Sequence, residues 1–325
     1  MLMRREGSSG AVHRRARDSH MLRLVRDLCA APALRRLRGV AFLGAIDYCA
    51  TYRQPTLPYH RSRLAHSQSV ALLAHTLADI RDLPCASRRC LVAAGLLHDL
   101  GHPPLSHSAE VAFVRRYRVD HATATRQLIR GQWRAGRQIP RILARHGVDV
   151  ETVIAVIDGD ATACMGAEAF AAPINVDTLD GITRAARYFG RPAPSRATVV
   201  GGLAAIAEGR YEAMDAFWNL KRDIYARDLS SPLCSLLDAT TVDYLEHTTL
   251  KPTDGLLTDS ALFDRHPRLS RMLGLVDIAV PHAGLGGAAE LTRPRKRYCV
   301  DRAARPRTAA ELSLRYKREP ALASV

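Results

Sequence analysis

Residues 93–110 read AAGLLHDLGHPPLSHSAE, an apolar run followed at once by His98-Asp99, His102, His107 and Glu110. Solvated loops rarely need so many imidazoles, so the question is what these side chains hold. A further histidine, His66, lies one predicted helix upstream, and Asp177 lies on a later one. Imidazole and carboxylate without thiolate suit borderline or hard divalent ions: Zn, Fe, Mn, Ni, Co or Mg. Adjacent residues on a regular helix diverge by about 100°, so a His-Asp pair shares one ion only near a helix end. Gly101, lacking a Cβ, suits that end. Four ligands from three helices would staple a bundle and leave positions for water and a phosphate oxygen.

Each of these residues also has a plainer reading. On its own helix His66 reads as a satisfied core histidine, and only the arrangement lifts it out. His75 faces a similar stripe with no motif around it and stays structural. Glu110 reads equally as a cap, since Ser106 and Ser108 nearby make good N-caps. Pro103-Pro104 fix the turn and aim His102 and His107. Asp180, three residues after Asp177, bonds groups behind the ligands or solvent. Asp158 and Asp160 read as loop carboxylates.

The elements that must position these groups are helical. Residues 21–44 show helical periodicity broken at Pro32, and TYRQPTLPYH is a loop. In RSRLAHSQSVALLAHTLADI, His66, Val70, Leu73 and Leu77 share one stripe of an amphipathic helix. CLVAAGLLHD forms the next helix, and residues 120–130 and 149–158 are helical. The basic connector between them, RGQWRAGRQIPRILARHG, reads as a lid or a surface loop. Pro173 opens a helix through INVDTLDGITRAARYFG, closed by Gly190 and Pro192. Residues 199–248 are long helices with a break near Pro232. No internal repeat and no strand alternation emerge, so the expected fold is an all-α helical bundle with a helical C-terminal extension. Its divisions are a basic flexible tail (1–20), a main domain (21–250) and a basic, partly disordered extension (251–325).

The 325 residues can bury a full core, and 47% hydrophobic content with 6% aromatics fits an Ala/Leu/Val-rich helical protein. The formal charge of +15 comes mostly from arginine, which favours bidentate contact with phosphate in nucleotides or nucleic acid. A GC-rich genome, inflating Arg and Ala together, explains the excess equally well. Seven scattered cysteines (Cys29, Cys49, Cys85, Cys90, Cys164, Cys234 and Cys299) form no C-x-x-C pair, which points to reduced thiols and a cytoplasmic setting. No apolar run approaches a membrane span. The Arg-rich N-terminus leads into no signal-type apolar core, and an organellar leader is the lesser reading.

Three stretches together resemble the HD-domain superfamily of metal-dependent phosphohydrolases. The nearest likeness is to its deoxynucleoside triphosphate triphosphohydrolase branch, the bacterial dGTPases and the mammalian dNTPase that carries a SAM domain. LRRLRGVAFLG…HRSRLAHSQSVALLAH is similar to that branch's Q-R-L-R…Q-L-G followed by H-T-R-F-x-H-S-x-x-V. AGLLHDLGHPPLSHSAE is similar to A-x-L-x-H-D-(I/L)-G-H-(G/P)-P-F-(G/S)-H-x-x-E, the most specific of the three. INVDTLDGITRAARYFG is similar to (I/L)-D-x-D-(R/K)-x-D-Y-x-x-R-D…G. They span most of residues 34–190 in the family's order. The resemblance implies that residues 21–250 are an HD phosphohydrolase domain with metal ligands His66, His98, Asp99 and Asp177. It also implies catalytic positions at His102, His107, Glu110 and His121, with Ala122 where a glutamate usually follows, and a substrate contact at Arg184. A homo-oligomer is implied too, without an interface signal in the sequence.

The chemistry is consistent on its own terms. Phosphate-ester cleavage needs a polarised water, a donor on the phosphoryl oxygens and protonation of the leaving oxygen. Imidazoles titrate near neutrality and serve as donors or acids. Glu110, three residues from His107, lies within one helical turn and can orient that ring.

The third stretch departs from the pattern. Thr178 stands where the branch has Lys or Arg, Gly181 replaces the Tyr that bounds the deoxyribose, and Ala185 replaces the Asp that contacts the sugar 3′-OH. Leu105 replaces the Phe of the second stretch. The expected activity is therefore a metal-dependent phosphohydrolase acting on a nucleotide or phosphorylated small molecule, dNTP triphosphohydrolase-like first. A nucleotidase or phosphodiesterase is the alternative within that class. A nucleic-acid-binding or regulatory protein on a retained HD scaffold is the alternative outside it, favoured by the charge and by RPRKRY near the C-terminus.

Overall fold

The computed structural model describes residues 7–49, 57–171, 173–279 and 296–319. The N-terminal segment expected as a tail is helical from Gly7, while residues 1–6 lie outside the described residues. Helix α1 (Gly7–Ala30) buries Leu24 and Leu28, and Pro32 opens α2 (Pro32–Arg36). Arg and Ala are good helix formers, so a helix anchored by its apolar end extends back through them at little cost.

After short 3-10 turns come α3 (Arg63–Ile80) and α4 (Cys85–Leu97), joined by four residues. Ser62 caps α3 by accepting from Ala65 N. The pair packs very closely, because a Cβ on Gly95 would stand 2.7 Å from Ala71 Cα. Antiparallel packing at that contact sets the start of α3 beside the end of α4, and so His66 beside His98.

α5 (Ser106–Tyr117) and α6 (His121–Ile129) follow. The basic connector folds into α7 (Ile139–Arg145), whose Ile139, Ile142 and Leu143 are buried, so it is a packed element and not a lid. α8 (Val150–Ile157) and α9 (Glu168–Ala171) lead to α10 (Val176–Tyr188), capped by Asn175. α11 (Arg196–Ala205) and α12 (Glu212–Asp223) come next. α12 runs into a π-helical turn (Ile224–Leu229), and α13 (Pro232–Glu246) restarts at Pro232 behind its cap Ser231.

The C-terminal extension is folded where described, and residues 280–295 and 320–325 lie outside that range. α14 (Asp259–Arg265) and α15 (Pro267–Ala279) bury Leu262, Leu269 and Leu273 against α5 and α13 in a second core cluster. β1 (Tyr298–Val300) and β2 (Tyr316–Arg318) form an antiparallel two-stranded ribbon, pairing Tyr298 with Arg318, that lies on α12. Among the described residues this ribbon is the one pair of strands, beside an isolated antiparallel bridge between Ala41 and Ser62, and the fold is otherwise all-α. The larger core cluster gathers α1–α4 and α6–α12.

Candidate active site

Three helices converge on one point. His66 stands in the first turn of α3, His98 closes α4, and Asp177 is in the first turn of α10. His66 Nε2 lies 3.2 Å from His98 Nε2, 3.0 Å from Asp177 Oδ1 and 3.5 Å from Asp99 Oδ2. His98 Nε2 lies 3.6 Å from Asp177 Oδ1 and 3.5 Å from Asp99 Oδ1. Donor atoms about 2.1 Å from a shared ion stand roughly 3.0–3.4 Å apart, so the distances from His66 Nε2 to His98 and Asp177 match a common cation and the other three, at 3.5–3.6 Å, lie just outside.

The tautomers point the same way. His66 Nδ1 donates to Asp180 Oδ2 at 2.7 Å, and His98 Nδ1 donates to the Gly95 carbonyl at 2.9 Å. The neutral rings therefore turn their Nε2 lone pairs toward each other and toward two carboxylates. The two Nε2 atoms and Asp177 converge as acceptors, an arrangement that a divalent ion satisfies, while Asp99 stands beside them and already accepts from Arg63 at 2.6 Å. Without an ion, burial works against charge on His98, but Asp99 and Asp177 overcome it and push the ring up to about 9. His66 rises for the same reason, with Asp177 and Asp180 outweighing burial.

The turn after α4 is braced from several sides. α4 ends at Leu97, and Gly101 is required for close approach of α6: a Cβ there would sit 2.3 Å from Thr125 N. The Gly101 amide donates to Thr125 Oγ1 at 2.8 Å. Leu105 and Ser106 then adopt left-handed conformations, at φ 57° and 50°. Each costs of order 1–2 kcal/mol for an L-residue, so other contacts must hold them. Asp259, from α14, accepts from the amides of Leu105 and Ala41, both at 2.8 Å. Arg36 donates to the carbonyls of Leu100 and His102 at 3.0 and 2.8 Å. Leu105 thus occupies the cap position of α5 without a side-chain cap, and the Ser106 and Ser108 hydroxyls are buried elsewhere.

The turn assembles a second cluster of His102, His107, Glu110 and His121, beside the first. Glu110 Oε2 accepts from His107 Nδ1 at 2.7 Å, and its Oε1 accepts from His121 Nδ1 at 2.5 Å and from the His121 amide at 2.8 Å. Glu110 thus orients two rings, His107 as anticipated and His121 as well, and satisfies the first amide of α6, whose own N-cap is Asp120. Burial opposes its ionisation, but the two histidines hold it far below the usual carboxylate range. Desolvation lowers His107, whereas at His121 the Glu110 carboxylate outweighs desolvation and raises the ring. One imidazole is thereby biased toward neutral and its neighbour toward charged. His102 stacks on His121 with centroids 4.1 Å apart and joins the clusters through Nε2, 3.3 Å from Asp99 Oδ1. Burial and the nearby Arg63 keep His102 neutral.

Both clusters open into one cleft of about 570 Å³. Asp99, His102, His107, Glu110, His121 and Asp177 line it, together with Thr178, Gly181 and Ala185. Arg184 does not reach it. Its guanidinium bonds Asp180 at 3.0 Å and the His60 carbonyl, behind His66. Three cations that the sequence did not assign to the site line the cleft, Arg63, Lys221 and Lys296. Arg63 is buried and donates to Asp99 Oδ2 at 2.6 Å and Ser106 Oγ at 2.7 Å. Lys221 enters from α12. Arg63 stands at the Arg of the first motif, which was a usable signal; Lys221, inside WNLKRD, carries none.

The HD domain family model matches residues 63–165. That segment holds α3, the α4 turn and the paired histidines. Over 176 residues the chain is 30% identical to the uncharacterized protein YwfO of Bacillus subtilis, covering 52% of this chain and 37% of that protein. Over 57 residues it is 40% identical to a deoxyguanosinetriphosphate triphosphohydrolase-like protein of Cereibacter sphaeroides, covering 18% of this chain and 14% of that protein. The chain thus spans well under half the length of these curated relatives. Among the described residues no helix is long and apolar enough to cross a membrane.

Proposed function

We propose that the protein is a metal-dependent phosphohydrolase acting on a nucleotide or nucleotide-like substrate, with removal of tripolyphosphate from a nucleoside triphosphate as the first reaction to test. The observation that carries this reading is the adjacency of the two clusters, a His/Asp set drawn from three helices and a Glu-bridged histidine pair, in a single cleft. His66, His98, Asp99 and Asp177 would hold the ion. When bound, a divalent ion supplies Lewis acidity toward a phosphoryl oxygen and toward water.

The remaining chemistry belongs to side chains. Glu110 holds both Nδ1 atoms, so the Nε2 atoms of His107 and His121 are the ones left to the substrate. His121, biased toward its charged form, is suited to protonate the leaving oxygen, and neutral His107 to accept from or orient a water. His102 holds Asp99 in place through Nε2. Arg63 bonds the same carboxylate and fixes it from the opposite side. Gly181 and Ala185 leave the sugar end of the cleft unrestricted, so the base and sugar are open to test while the phosphate chemistry is specified.

Purified protein supplied with Mn, Mg, Co or Ni is to be screened against a nucleotide panel, with the product anions separated by ion-exchange chromatography. Tripolyphosphate supports the triphosphohydrolase reading, and direct orthophosphate supports a nucleotidase. His98→Ala should lose bound metal and turnover together. His107→Ala should keep its metal and lose about 10²–10⁴ in rate. An His107→Ala protein with wild-type turnover would remove that histidine from the mechanism, and no metal-stimulated turnover of any phosphate ester would sink the reading.

A further inference from the structure

The cleft is lined by a cation that the reaction outlined above does not use. Lys221 is only 9% exposed, yet among the described residues its ammonium has no hydrogen bond and no carboxylate partner. Its Nζ lies over the faces of Trp218 and Tyr298, 4.7 and 4.8 Å from the ring centroids. Such contacts recover part of the hydration lost on burial, but they do not neutralise the charge. An ammonium that faces an open cleft from apolar ring faces, with no hydrogen-bonded partner among the described residues, is free to meet an anion that enters.

The surroundings indicate what arrives. Lys221 shares the cleft with Asp177 and Thr178, and a second cation, Lys296, stands on the same wall over the Tyr225 ring at 5.4 Å. Lys296 and Arg318 both lie close enough to disfavour the charge on Lys221, and Asp177 close enough to favour it. Burial dominates and lowers the lysine to about 8, which leaves it an ammonium at neutral pH. Cations gathered on one wall, with the candidate metal ligands beside them, make a site for more than one negative group.

We propose that Lys221 is a specificity-determining residue that binds a second phosphate of the substrate, next to the one being cleaved, so that the cleft selects phosphoanhydrides over simple monoesters. The proposal rests on the phosphohydrolase reading for the word substrate, but the anion site itself does not require turnover. Lys221 also offers, from α12, a cation to the region where the third motif has Thr178 in place of Lys or Arg. A lysine is suited to this task as a compact charge that can follow a phosphate oxygen.

The test uses the full chain with its divalent metal and two probes, inorganic pyrophosphate and orthophosphate, titrated by calorimetry. Wild-type protein should bind pyrophosphate at least tenfold more tightly than orthophosphate. Lys221→Gln should reduce pyrophosphate binding tenfold or more and leave orthophosphate within about twofold. Lys221→Arg should keep most of the preference. Circular dichroism and Tm confirm that the variants fold, and removing an unpaired buried charge is not expected to unfold the bundle. Wild-type protein that does not discriminate between the probes, or a Lys221→Gln variant that binds pyrophosphate unchanged, would overturn the proposal. Selective binding without turnover of any ester would instead retain Lys221 as an anion site and count against the hydrolase reading alone.

Discussion

At the scale of single residues, the candidate metal centre depends on groups that touch no ion. Asp180 accepts from His66 Nδ1 at 2.7 Å and is in turn held by Arg184 at 3.0 Å. A carboxylate behind a ligand histidine fixes its tautomer and raises its basicity. Burial opposes the charge on Asp180, but His66 and Arg184 keep it ionised, down to about 2. Asp180→Asn should therefore weaken metal affinity about 10–100-fold while leaving all four ligands present. Competition with a chromogenic chelator measures this, and an unchanged affinity would show that Asp180 only fills space. Asp180 was legible as a neighbour of Asp177 at helical spacing, because that spacing needs only the helix period. Lys221 was not legible as a cleft residue, whereas Arg63 carried the signal of its place in the first motif. A lone basic residue on a helix reads as a solvated charge until the packing shows it buried.

At the scale of elements, the helices and their caps follow from local pattern, and the sequence shows most of them. The α4 turn depends instead on partners far away in the chain. Asp259 reaches Leu105 across 154 residues and Ala41 across 218, and Arg36 reaches Leu257 across 221. Contacts at such separations leave no periodic trace, so the C-terminal extension read as partly disordered although α14 clamps the active-site turn. The terminal ribbon is similar. Arg315 donates to both oxygens of Asp215 on α12, at 2.8 and 2.6 Å, and the Tyr316 hydroxyl donates to the same carboxylate at 2.7 Å. Desolvation opposes the Asp215 charge, but these partners win and depress its pKa. A depressed carboxylate stabilises above its unfolded pKa of about 4 and loses that contribution as pH falls toward the folded value. Asp215→Asn should thus cost about 2–3 kcal/mol at pH 7, below the 3–5 of a fully buried pair because the side chain is partly exposed. The difference from wild type should shrink below pH 4. Denaturant titrations at pH 7 and pH 3.5 measure both values, and a penalty that did not shrink would mean that packing, and not charge, docks the ribbon.

At the scale of the whole molecule, the site lies where separately stabilised parts meet. α3, α4 and α10 belong to the larger core cluster, while Leu105 and α5 belong to the smaller one. Asp99 connects the two sides, 3.3 Å from His102 Nε2 on the turn and 3.5 Å from His66 Nε2 on α3. The net charge of +15 adds a general repulsion that favours expansion. Removing the ion should therefore be felt as a loss of global stability and not only of activity. A ligand held by the native state alone contributes about 2.7 kcal/mol at a concentration of 100 Kd. For a chain of this size that corresponds to about 5 °C in Tm, at roughly 2 °C per kcal/mol. EDTA-treated protein should melt lower by about that amount and recover when Mn or Co is added back. His98→Ala, which lacks a ligand on α4, should melt at one temperature with or without chelator. Calorimetric scans of the two proteins in both conditions decide the matter. If both responded equally to EDTA, the ion would be binding outside the His66–His98–Asp99–Asp177 set, and the convergence of α3, α4 and α10 would be a feature of packing alone.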